Sequence, residues 1–82
     1  MFSLSELQEQ LGAFRAKLAE AMEHTNRAVE LLDEARETIV SAFDQAKPWL
    51  PPELAAAHDR LRQDADRLAA VDRLMSAYQA QL

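Results

Sequence analysis

The chain has no cysteine, a single glycine (Gly12), three prolines, and one tryptophan, one tyrosine and three phenylalanines in 82 residues. Each scarcity closes a route to function. Without cysteine there is no disulfide staple and no thiolate metal site. With one glycine there is no backbone loop of the kind that cradles a phosphate. No apolar run approaches the ~18 residues that a membrane-spanning helix needs. The opening Met1-Phe2-Ser3-Leu4-Ser5-Glu6 lacks a basic segment followed by an apolar stretch, so no cleaved signal peptide is expected. The default expectation is a cytoplasmic protein, with signal-less export left open. The net charge is −5, with acidic and basic residues interleaved. That is the opposite of the clustered basic footprint that nucleic acid or an anionic membrane surface selects. A chain of this length forms one domain with a limited core, and unstapled chains of this size commonly gain stability by associating.

What the chain has in abundance is helical rhythm. Leu4, Leu7, Leu11, Phe14, Leu18, Ala21, Thr25, Ala28, Leu32, Ala35, Ile39, Ala42 and Ala46 recur at alternating steps of three and four, with Thr25 as the one polar entry. Such spacing keeps one side of a helix apolar over many turns. Ser3 and Glu6 fit the Ser-x-x-Glu capping box, and Phe2 and Leu7 occupy the staple positions around it. Lys47-Pro48-Trp49-Leu50-Pro51-Pro52 ends the helix, because proline lacks the required amide and pushes its predecessor out of helical geometry. Lys47 complements the dipole at that end. A second helix opens near Pro52, with Glu53 in its first turn. It carries Leu54, Leu61, Leu68, Met75 and Leu82 seven apart, with Ala57, Val71 and Tyr78 between them and Asp64 as the polar exception.

The reading is therefore all-α: an antiparallel, coiled-coil-like two-helix hairpin over residues 1–82. Helix one spans about 4–46, a proline-rich turn 47–51, and helix two about 52–82. Folding the chain about residues 49 and 50 sets position i opposite 99 − i and brings Leu82 beside Lys17. Leu4, Leu7, Leu11 and Phe14 then project beyond helix two by roughly 20 Å, an unpaired apolar stripe of the sort that marks a partner surface. Val29, Leu31, Val40 and Phe43 flank the main stripe and widen it beyond what one neighbour covers. Ala21, Ala28, Ala35 and Ala42 recur every seven residues and permit close approach of one neighbour, the flanking residues meeting a second. Two hairpins paired as a four-helix bundle satisfy both. Glu23–Arg27, Arg60–Asp64 and Arg62–Asp66 sit four apart and suit a solvated helix face.

Chemistry-bearing constellations are sparse. In the same folding, His24 falls near Met75 and His58 near Ser41, too far apart to share a site within one chain. Neither histidine has an acidic residue three positions before it, so the Glu-x-x-His pairing of ferritin-like bundles is missing. The serines lack a histidine and carboxylate at catalytic spacing. No catalytic, cofactor or metal residues and no small-molecule substrate are assigned. Asp64 is expected near Ala35 and Arg36, either pairing with Arg36 or turning to solvent. Trp49 either plugs the bundle end or serves as an exposed recognition residue.

The hairpin, its tryptophan turn and the ending Tyr78-Gln79-Ala80-Gln81-Leu82 resemble small actinobacterial helical hairpins related to the Trp-x-Gly (WXG) family of type VII secretion. The alanine-rich, Arg-over-Lys composition agrees with a high-GC genome. The resemblance implies a hairpin that pairs into a four-helix bundle and accompanies a larger secreted protein. Trp49-Leu50-Pro51 has proline where that family has glycine, and Leu82 stands where its export signal has an acidic residue. The sequence thus points to a non-enzymatic adaptor that self-associates or binds a helical partner. The alternatives are a type VII-related partner or chaperone of an effector, and a half-ferritin-like bundle whose metal site two chains would complete.

Overall fold

The computed structural model describes residues 3–43 and 50–82, and these form two helices, α1 (Leu4–Ala42) and α2 (Pro52–Ala80), with no strand among them. The helix start read from sequence is in place. The Glu6 amide donates to Ser3 Oγ at 3.1 Å, and Ser3 holds the extended backbone of a cap. Phe2 of the expected staple, and Lys47, Pro48 and Trp49 of the turn, lie outside the described residues. Ser3→Ala should cost about 1 kcal/mol. The loss should appear as faster hydrogen exchange of the first-turn amides of α1 with the rest of the helix unchanged.

The described part of α1 closes at Ala42, where the Phe43 amide turns back to the Val40 carbonyl at 3.3 Å. At the other side of the connection, Pro51 caps α2 and Pro52 opens it. Proline in a first turn forfeits only an amide that would lack a partner anyway. The two prolines therefore start a helix.

The helices run antiparallel, and facing residue numbers add to about 91 instead of 99. Asp33 meets His58, and Arg15 reaches both Asp72 and Gln79. Pro52 is thus level with Ile39 and Ala80 with Leu11. α1 is 39 residues long and α2 is 29. The difference is shared between the ends: Leu4–Gln10 project at one tip and Val40–Ala42 at the turn. The overhang at the tip is roughly 10 Å, half of what the 99 pairing implies. His24 lies level with Arg67 instead of Met75, and His58 lies by Asp33 instead of Ser41.

The result is a rod of 64 × 18 × 14 Å with a radius of gyration of 18.9 Å, against roughly 12 Å for a compact chain of this length. Such a rod has almost no interior. Leu18, at 7 % exposure, is the single buried side chain among the described residues. The column that meets α2 is Leu11, Leu18, Thr25, Leu32 and Ile39, opposed by Leu54, Leu61, Leu68 and Met75, all at most half-exposed. Thr25 is accommodated within this seam because its hydroxyl donates to the Ala21 carbonyl at 2.8 Å.

Candidate partner-binding surface

Two helices lying side by side make a ribbon with two broad faces, and the side chains flanking the seam decide the character of each. On α1 one flank is Arg15, Met22, Val29 and Arg36; on α2 the matching flank is His58, Ala65, Asp72 and Gln79. Arg15 joins these flanks, donating from Nε to Asp72 Oδ1 at 3.2 Å and from Nη1 to Gln79 Oε1 at 2.9 Å. At the turn end of the same face, His58 Nε2 approaches Asp33 Oδ1 to 2.9 Å. The buried Nε2 atom makes no aligned hydrogen bond, so this is a polar approach off the ring N–H direction. A recess of about 250 Å³ between Leu32, Asp33, Leu54 and His58 opens here. This face is bracketed by polar cross-helix contacts.

The Arg15–Asp72 side chains remain 34 % and 35 % exposed. A double-mutant cycle with Arg15→Ala and Asp72→Ala should therefore give a coupling of only about 0.5 kcal/mol, falling as salt is raised. Its contribution is to fix register.

The opposite face has another composition. Its α1 flank is Leu7, Phe14, Ala21, Ala28, Ala35 and Ala42, and its α2 flank is Ala57, Asp64, Val71 and Tyr78. By register, Phe14 lies level with Tyr78 and within one turn of Leu74. Phe14 is 48 %, Tyr78 46 %, Leu74 66 % and, further along, Leu31 49 % exposed. The polar groups on this face gather at mid-rod, where Asp64, Arg67, Leu68 and Val71 line a recess with Thr25. Asp64 pairs along its own helix with Arg67 at 3.5 Å. It lies level with Arg27 and away from Arg36, which overturns the expected Asp64–Arg36 contact.

The outer edge of α1 is acidic. Glu6, Glu9, Glu20, Glu23, Glu30, Glu34 and Glu37 are all exposed there. Arg27 is held at 3.0 Å from Glu30 and 4.0 Å from Glu34; these acids lie on its C-terminal side, where the sequence spacing suggested Glu23.

The residues marked from sequence as a partner surface divide into three groups. Leu4 and Phe14 are exposed near the tip, whereas Leu7 and Leu11 are half-covered. Val29 is half-buried against the seam on the polar face. Val40 and Phe43, 44 % and 51 % exposed, belong to that same face at the turn end. Only Leu7, Phe14 and Leu31 share the apolar face. Leu74, which completes that face from α2, was missed by the sequence reading. The signal was there, because it is a leucine outside the Leu54–Leu61–Leu68 column, the criterion that picked out Leu31 on α1. Among the described residues, no three His, Asp or Glu side chains gather as a metal-ion group, and no helix is long and apolar enough to cross a membrane. No family model matches the chain, and neither a curated protein nor a solved structure matches it.

Proposed function

We propose that this chain is a non-enzymatic helical interaction module that takes a helical partner on the apolar face of its ribbon. The observation that carries this reading is the mismatch between surface and mass. The chain exposes 6536 Å², whereas a compact monomer of 9.2 kDa exposes about 4,900 Å². The excess, on the order of 1,600 Å², comes with four large exposed apolar side chains, Phe14, Leu31, Leu74 and Tyr78, on one face, in the pattern of a surface that a partner covers. Helices suit this face because its alanine column offers a long shallow groove that a ridge of side chains fills.

The test compares Phe14→Glu/Leu74→Glu with Ala13→Glu/Ala16→Glu, the second pair lying on the acidic edge. Sedimentation should show assembly lost in the first variant and kept in the second, with helical circular dichroism intact in both. Assembly indifferent to Phe14 and Leu74 overturns the reading.

A further inference from the structure

We infer that the occupant of the apolar face is a second copy of this chain, stacked face to face and end over end, about a two-fold axis that crosses the rod near Thr25. This rests on the module reading above and goes further by fixing the partner and its register.

The column Leu7, Phe14, Ala21, Ala28, Ala35, Ala42 is large at one end and small at the other. Turned end over end against its own copy, Leu7 meets Ala42, Phe14 meets Ala35, and Ala21 meets Ala28. Every large side chain falls on an alanine, which is how interdigitating layers fill space without voids. Stacked in parallel about the rod axis, the same face sets the Phe14 level of one copy against the Tyr78 and Leu74 level of the other. The alanines then face each other at the far end, and the contact gapes.

The second helix repeats the large-on-alanine match at its outer pair and shares the centre of inversion. Ala57, Asp64, Val71 and Tyr78, inverted, bring Tyr78 onto Ala57 and Val71 onto Asp64. Inversion of the α1 column centres between residues 24 and 25, and that of the α2 column between 67 and 68. By the register that Asp33 and His58 set, these two centres agree within about one residue, or ~1.5 Å. One axis therefore serves both helices, as an isologous contact demands.

Area and charge agree with this occupant. The two-helix part of the face, 29 residues or about 44 Å long and 18 Å wide, offers roughly 800 Å² per chain, about the area per partner of a standard interface. The seven glutamates on the outer edge of α1 repel a second copy approaching edge-on, and the other broad face presents its Arg15, Asp33 and Asp72 brackets. Near the axis the inversion brings Arg67 toward its own counterpart. The Asp64 carboxylates, 3.5 Å from Arg67 within each chain, supply the opposing charge.

The absence of native cysteine makes the register directly testable. Ala21→Cys and Ala28→Cys chains, mixed and oxidised, should form a covalent dimer at least about tenfold more readily than either alone, because only the mixture brings the two thiols within disulfide reach. Tyr78→Cys mixed with Ala57→Cys tests the same register at exposed positions of α2 and serves if the first pair disturbs packing. Equal cross-linking in single and mixed samples overturns the inference, as does a sedimentation profile of the native chain that is monomeric at tens of micromolar. A dimer that depends on Phe14 and Leu74 but cross-links in neither pair sinks the end-over-end register and leaves the module reading standing. A native chain whose assembly ignores those two residues sinks both.

Discussion

Replacing Leu18 by alanine should lower the stability of the hairpin by about 2–3 kcal/mol and its melting temperature by roughly 10–20 °C. Leu18 is the one described side chain removed from water, at 7 % exposure, and the register sets it between Val71 and Met75 of α2. Truncation loses the transfer free energy of the removed methyl groups and leaves a gap that a two-layer structure closes only partly. A thin rod relaxes more readily than a thick core, which places the figure toward the lower half of the usual range for buried leucine. The loss is nonetheless large for a chain whose whole stability is on the order of 4–12 kcal/mol. Thermal unfolding followed by circular dichroism measures it. Leu61→Ala, at a half-exposed site, should cost clearly less. Equal losses at the two positions would mean that Leu18 is not the centre of the packing.

Ala35→Glu has an expected effect as large and of another kind. Ala35 is exposed in the single hairpin, so the substitution should change the stability of the isolated chain by no more than about 0.5 kcal/mol. In the end-over-end pair its side chain meets Phe14 of the second copy, and a glutamate there is a charge taken from water without a partner. Removing that burial by dissociation favours the single chain by about 3 kcal/mol, a weakening of association of roughly a hundredfold or more. Sedimentation at fixed concentration should show the assembled mass fall by half, while Ala13→Glu on the acidic edge leaves it unchanged. An Ala35→Glu chain that assembles like the native one would show that this face is bare.

The sequence reached the helices more easily than the surface. Both follow from local chemistry: Ser3 caps α1, Pro52 opens α2, and the three-four spacing of leucines selects a lengthwise contact. The register did not follow, because it depends on how the chain crosses between the helices. Folding about residues 49 and 50 placed the axis about four residues too far along the chain, as the Asp33–His58 contact shows. The register that Asp33–His58 and Arg15–Asp72 set moves the overhang, His24, His58 and Asp64 together. Phe14 and Leu31 were legible because they are large and lie on or beside the periodic stripe. Their association with Leu74 and Tyr78 was not, since which flanks share a face is settled by contacts across the seam, such as Arg15 with Asp72. The likeness to the Trp-x-Gly hairpins rests on architecture, on the Tyr78–Leu82 ending and on Trp49, the last of which lies outside the described residues.

Because the helices are antiparallel, Ser3 and Leu82 stand at the same tip of the rod, and Phe43 and Leu50 stand at the other. A single hairpin therefore behaves as a hook, with everything joined to either terminus gathered at one place. Inverting a second hairpin upon the first converts that hook into a strut. The exits would stand at opposite extremities, on the order of 60 Å apart given a rod 64 Å long. Anything attached to the two chains would be kept out of reach of its twin. Fluorophores on the two N-termini would report that separation as weak energy transfer, whereas fluorophores on the N- and C-termini of one chain would transfer strongly.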